Sequence, residues 1–286
     1  MMEVQSQSLD RISTLPQDTI EKILTLLPIQ DALRTSVLSK KWRHCWKGMP
    51  KLVFDDKYLN SSSSSKEINK YKFVTSIFHV LLLHNGPILE FSISINIDTE
   101  IVDQIDQIIL HLSKSKNIKK FILFCLNSGF GIRLKQFAKG SMQKLPTLLV
   151  HLRILFLDVC FLKQDELSYA LGVINSAPNL EKIKIESCWN HKLCGQQTCK
   201  DLLDLQDYYL GMKLDHLEEL EINSFHNYAP EMEFVKLVMA KSPMLKKARI
   251  KLNSDVSVDK ENKILRDLLR LTFPRASPAV DIIVER

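Results

Sequence analysis

The chain has 286 residues, 45% of them hydrophobic and 25% charged, with a formal net charge of +6. That balance suits a soluble globular protein with room for one large domain and a small module. No apolar run approaches the ~18 residues of a membrane span, and the polar opening MMEVQSQSLD lacks the apolar core of a secretory signal. Residence inside the cell, in nucleus and/or cytoplasm, is therefore expected.

Residues 1–9 read as a flexible tail. A small helical module, 10–50, follows, organised around DRISTLPQDTIEKILTLLPIQDALRTSVLSKKWRHCW, Asp10 to Trp46. Its pattern predicts three short helices punctuated by Pro16 and Pro28. Pro16 suits a first helical turn, where its missing N–H costs nothing. Ile20, Ile23, Leu24 and Leu27 recur at i, i+3, i+4 and i+7 and form one apolar stripe. Asp31 is placed to cap the second helix, which carries Leu33 and Val37. The third carries Trp42, Cys45, Trp46 and Met49 at the same spacing. So small a core needs a staple or something to dock on. The stripe then packs either on the rest of the chain or in a groove of another protein.

The strings ISTLP, LTLLP and RTSVLSKKWR resemble a plant-type F-box across nearly the whole segment. The resemblance implies docking on a Skp-type adaptor and, through it, on a cullin–RING ubiquitin ligase. By position, Leu15, Pro16, Ile20, Ile23, Leu24, Leu27, Pro28, Leu33 and Val37 match the F-box residues that meet the adaptor or support that surface. Trp42 matches the F-box tryptophan that closes the small core.

Lys40, Lys41, Arg43, His44, Lys47 and Lys51 make the third segment basic. Without a recognition-helix or aromatic-platform pattern, the cluster reads as a solvated face, and no nucleic-acid partner is expected. Residues 51–212 read as a repeat region with a flexible loop at 57–67, where NSSSSS offers nothing to a core. One apolar residue, another three later and a third two after that recur throughout. The sets are Ile88/Phe91/Ile93, Ile118/Phe121/Leu123, Leu152/Leu155/Leu157, Leu180/Ile183/Ile185, Leu217/Leu220/Ile222 and Leu245/Ala248/Ile250, with Met49/Leu52/Phe54 as a first member. The last two members of each set share one face of a strand. Helical patterns lie between, at Tyr71–His84, Ile101–Leu112, Leu167–Ile174, Phe234–Met239 and Ile264–Leu271, while 127–149 reads as an insertion. The fold class expected is an α/β repeat: a three-helix module followed by an irregular leucine-rich-repeat solenoid, a curved parallel sheet backed by helices.

LRILFLDVC and PNLEKIKIESC resemble the leucine-rich repeats of plant F-box proteins, and the sequence from about Leu214 onward (213–286 as a region) is similar to the FBD region that ends many of them. Residues between the buried positions point to the opposite face of the sheet. There Ile122, Phe124, Ile154 and Phe156 would form an apolar patch for a protein target, unless 127–149 folds over it. Lys182 and Lys184 lie beside it, and the flanking basic and acidic rows could select a charged partner.

Six cysteines are scattered as in a reducing compartment. Cys188, His191, Cys194 and Cys199 do not follow zinc-site spacing, so no metal is expected. Gly129-Phe130-Gly131 is too short to cradle a phosphate, no nucleophile–base signature is present, and no cofactor is expected. The family reading implies a non-catalytic receptor, whose target the sequence leaves open. The alternative is an adaptor-bound scaffold or regulator without a degradative role.

Overall fold

The computed structural model describes residues 11–55, 66–95, 102–115, 117–125, 149–187, 211–269 and 276–286. The tail 1–9, the insertion 127–149 up to residue 148, the four-residue zinc candidate and Gly129-Phe130-Gly131 lie outside them, as does most of the loop expected at 57–67. By Lys66 the chain is already helical.

The recurring apolar triplets become strands because alternate side chains must share a face and no single strand can bury that face alone. The strands are β1 (Lys51–Asp55), β2 (Glu90–Ile95), β3 (Lys120–Cys125), β4 (Ile154–Val159), β5 (Lys182–Ser187), β6 (Glu219–Phe225), β7 (Lys247–Leu252) and β8 (Asp281–Glu285). They join in sequence order into one open, all-parallel sheet, eight strands among the described residues. Two core rows cross it. Leu52, Phe91, Phe121, Leu155, Ile183, Leu220, Ala248 and Ile282 are in register in one, and Phe54, Ile93, Leu123, Leu157, Ile185, Ile222, Ile250 and Val284 in the other. Phe54, Phe91 and Phe121 continue this packing as adjoining rings, with centroids 5.5 and 6.3 Å apart. β8 is an addition to the expected sets, because its leading position holds only the small Ala279.

One backbone device fixes the register of the repeats. The carbonyl before each strand, at Pro50, Leu89, Lys119, Arg153, Glu181 and Glu218, accepts two successive N–H groups from the next repeat, at 2.7 to 3.1 Å. The helices lie between strands: α3 (Lys66–Leu83), α4 (Val102–Lys114), α5 (Gln164–Asn175), α6 (Ala229–Lys241) and α7 (Val258–Leu269). Most begin before their sequence patterns do, because apolar periodicity marks only the buried face of a helix. At the start of α6, Glu231 is wholly buried yet satisfied: its carboxylate accepts the Ser187 hydroxyl at 2.7 Å and the His226 and Tyr228 amides at 3.0 Å. These bonds stabilise a turn whose Ser224 and Asn227 have φ of 56° and 65°.

In the N-terminal module, α1 (Gln17–Thr25) and α2 (Ile29–Arg34) follow Pro16 and Pro28, which stand just before them. Two expectations change. Asp31 lies inside α2 and pairs with Arg34 at 2.9 Å instead of capping the helix. The third segment forms 3₁₀ turns, Thr35–Val37 and Trp42–Gly48, with the chain extended at Met49 before Pro50. Trp42, Trp46 and Met49 are nevertheless buried.

The module is fastened to the first repeat. The Asn85 and Gly86 amides donate to the Lys47 carbonyl at 2.9 and 3.3 Å, and His84 Nε2 lies 2.8 Å from the Met49 carbonyl. Burial holds the His84 imidazole below its ordinary value, against the raising effect of these backbone contacts with Met49 and Gly86. Gly86 is needed for close approach: a Cβ there would stand 2.7 Å from the Gly48 carbonyl oxygen. Gly86→Ala should therefore force the two backbones apart and lower stability by about 1–3 kcal/mol, read from urea denaturation, whereas Gly172→Ala, with open space at its Cβ, should not.

Candidate functional site

Two surfaces carry the residues singled out by sequence. On the helical module, the apolar stripe divides. Ile20 and Leu24 are wholly buried in the chain's own core with Ile29 and Ala32, and Trp42 is buried with its indole N–H donating to the Ile12 carbonyl at 3.1 Å. These side chains support the surface but are not free to touch a partner, because the module and the first repeat share one continuous core. Leu15, Ile23, Leu27, Pro28 and Leu33 are half-buried, and Pro16 and Val37 are exposed.

The structure adds residues that the stripe argument passed over. Leu26 is 85% exposed, as is the expected Val37 at 86%, and Leu38 and Ile12 are a little under half exposed. Leu26 lies off the i, i+3, i+4, i+7 stripe, and a periodicity argument discards such a residue. An aliphatic side chain on the polar side of an amphipathic helix was the available signal. Lys40, Lys41, Arg43 and His44 of the same module are exposed, and Lys41 donates to the Leu15 carbonyl.

The second surface is the sheet face opposite the helix-packed core. Across it one row reads Lys51, Glu90, Lys120, Ile154, Lys182, Glu219, Lys247 and Asp281, and the next Val53, Ser92, Ile122, Phe156, Lys184, Glu221, Arg249 and Ile283. The expected patch is smaller than its sequence suggested. Ile122, in register between the buried Ser92 and Phe156, is itself buried and backs the patch without facing solvent. Phe124, Ile154, Phe156, Lys182 and Lys184 are half-buried. The Phe156 ring lies between two ammonium groups, Lys120 at 5.4 Å and Lys184 at 5.8 Å from its centroid, within cation–π range.

The charges of this face are largely paired with one another. Glu90 lies 3.1 Å from Lys120 and 3.6 Å from Lys51, Lys182 is 2.7 Å from Glu219, Lys184 is 2.8 Å from Glu221, and Arg249 is 3.4 Å from Glu285. Burial would raise the Glu221 carboxyl, but its hydrogen bond with Lys184 and the charges of Lys184, Lys182 and Lys251 outweigh this and hold it below the ordinary value. Glu219 is also lowered, chiefly by its hydrogen bond with Lys182. Such pairing leaves little free charge to choose a partner by sign at the centre of the sheet.

Elsewhere, Lys163 and Glu166 form a buried pair at 3.2 Å, with Glu166 also accepting the Cys160 amide at 2.7 Å. Among the described residues, no group of three His, Cys, Asp or Glu could hold a metal ion, and no helix is long and apolar enough to cross a membrane.

Comparison with known proteins identifies a domain family at each end of the chain. The F-box domain family matches residues 12–54, and the FBD family matches 214–250, from the loop before β6 into β7. An F-box/FBD/LRR-repeat protein of Arabidopsis thaliana is 38% identical over 168 residues, 58% of this chain and 36% of that protein. A putative F-box/LRR-repeat protein of the same plant is 28% identical over 268 residues, 90% of this chain and 52% of that protein. The chain thus spans about a third to a half of the length of these relatives.

The paired sheet face sets a pH response. Glu219 and Glu221 have folded values depressed below about 4.5, so their contribution to stability is present above that value and is lost as pH falls below it through the folded values. In acid denaturation the double variant Lys182→Met, Lys184→Met should lose stability less steeply below about pH 4.5 than the parent. An equally steep loss in both would show that these pairs do not set the response.

Proposed function

We propose that this chain, which carries an F-box and an FBD region, is the substrate-recognition subunit of a cullin–RING (SCF-type) ubiquitin ligase. Its F-box docks on a Skp-type adaptor and its repeats bind the target protein. The observation that carries this reading is the apolar surface left in water on the F-box, where Leu26 and Val37 are almost fully exposed, Leu38 is exposed, and Leu27 and Leu33 are half-buried. Exposed aliphatics grouped on a small module mark a protein interface. Ile20, Leu24 and Trp42 hold these residues in place from inside.

In this reading the chain supplies placement and no bond-making chemistry. Held at one end by the adaptor and at the other by its target, it raises the local concentration of target near the ubiquitin-bearing subunit, an effect that reaches millimolar levels for short tethers. Phe156, with Phe124 and Ile154, is the best-placed aromatic anchor on the sheet for the target, since aromatic anchors in partly enclosed settings dominate binding energy. The rigid, internally paired rows beside it are already ordered and lose little entropy on binding.

Two outcomes test this. Leu26→Asp with Val37→Asp should leave the fold intact, because both side chains are exposed, and reduce adaptor affinity by roughly 30-fold or more, because a carboxylate enters an apolar groove unpaired. Adaptor co-purification and titration calorimetry report it. Leu15→Ala with Pro16→Ala should weaken the same contact. A Leu24 substitution would be uninformative, since that residue is wholly buried. On the sheet, Phe156→Ser should abolish capture of targets that accumulate under proteasome block while adaptor binding is unchanged. Undiminished capture by a folded Phe156→Ser chain would remove Phe156 from the target surface.

A further inference from the structure

The two ends of the sheet differ. At the β1 end, α2 of the F-box packs against the strand, whereas β8 pairs only with β7 among the described residues. The Asp281 amide donates to the Lys246 carbonyl at 2.9 Å, so Asp281, Ile283 and Glu285 turn their peptide groups toward β7. By the alternation of a parallel ladder, the N–H and C=O groups of Ile282 and Val284 face the open side. The side chains of this strand are also less covered than those of β7. Ile282, Ile283 and Val284 are half-exposed, while Ala248 and Ile250, in register beside Ile282 and Val284, are wholly buried.

Charge narrows what can fill the place. Along the first polar row the sign alternates from strand to strand, interrupted only by Ile154: Lys51, Glu90, Lys120, then Lys182, Glu219, Lys247, Asp281. Asp281 ends that row exposed, with no ion pair among the described residues. β7 shows which strand suits β8, since Lys247 and Lys251 stand in register with Asp281 and Glu285. A second copy of this chain is a poor occupant. Antiparallel self-pairing over the full strand, centred on Ile283, would set Asp281 against Glu285 of the second copy, and like charges directly opposed are destabilising.

We propose that the free side of β8 receives an extended segment of the target, with basic residues in register with Asp281 and Glu285 and aliphatic ones beside Ile282 and Val284. This is strand addition at a sheet edge. Main-chain hydrogen bonds to Ile282 and Val284 supply affinity, and Asp281 selects a cationic segment, with Glu285 adding a carboxylate that it shares with Arg249 at 3.4 Å. The assignment of the segment to the target rests on the receptor reading above. The edge itself is tested on the full chain without adaptor, so the two can fail separately.

The probe is a blocked hexapeptide with the sequence of β7, KARIKL, and the control is EAEIEL. With the full chain in solution, KARIKL should slow hydrogen exchange at the Ile282 and Val284 amides and leave Asp281 and Ile283 unchanged, whereas EAEIEL should slow none of them. Asp281→Lys, an exposed substitution, should weaken KARIKL binding about fivefold by fluorescence anisotropy. Exchange at Ile282 and Val284 that ignores KARIKL, or responds equally to both peptides, overturns the proposal.

Discussion

No repeat in this chain can bury its own apolar face, and the rest of the architecture follows from that constraint. Each strand offers two core side chains, such as Phe91 and Ile93, and covers them with the corresponding pair of the next strand and the intervening helix. Fixing each residue costs about 1–2 kcal/mol of backbone entropy, so a lone repeat would not hold together, while a row of them shares its interfaces. The repeated double acceptance of N–H groups by the carbonyls from Pro50 to Glu218 then sets the register at which β1 to β7 begin to pair. A slip of one residue would send the core pair to the wrong face.

The same register that aligns the core also aligns the opposite face. Once Phe91, Phe121 and Leu155 are level, Glu90, Lys120 and Ile154 are level as well, and residues distant in sequence become cross-strand partners. The result is a surface whose lysines and glutamates mostly neutralise one another. Individually these partly exposed pairs contribute little, about 0–1 kcal/mol each. Collectively they order long side chains around Phe156 and prevent a broad field of one sign. Partner choice at the centre of the sheet therefore depends on shape and apolar contact more than on charge.

The F-box serves two purposes. Its inner side chains, Ile20, Leu24, Trp42 and Trp46, complete the core at the β1 end of the sheet, and its outer ones, Leu26, Val37 and Leu38, remain in water. Because Gly48 and Gly86 meet backbone to backbone, the module is held directly against the first repeat. In the proposed ligase, that direct contact would transmit the adaptor's position to the target surface through packed side chains instead of through a linker.

Much of this was legible in the sequence. The spacing of apolar residues at three and then two positions located seven strands, and prolines placed the starts of α1 and α2, because both signals are local. The F-box strings and the FBD-like run carried the family resemblance for the same reason: they are contiguous. What the sequence left undecided depends on depth. Periodicity grouped Ile20, Ile23, Leu24 and Leu27 on one stripe, but only packing against the Trp42–Gly48 segment, within the core shared with the repeats, determined that two of them are sealed inside while off-stripe Leu26 stays exposed. Likewise, alternation put Ile122 and Phe156 on one face, yet Ile122 is buried and Phe156 is half-open between two lysines. Asp31 could have capped α2, but the helix begins at Ile29 and takes it inside. Chain spacing fixes which face of an element a side chain occupies, whereas how far that face is covered is set by neighbours that arrive only when the chain folds.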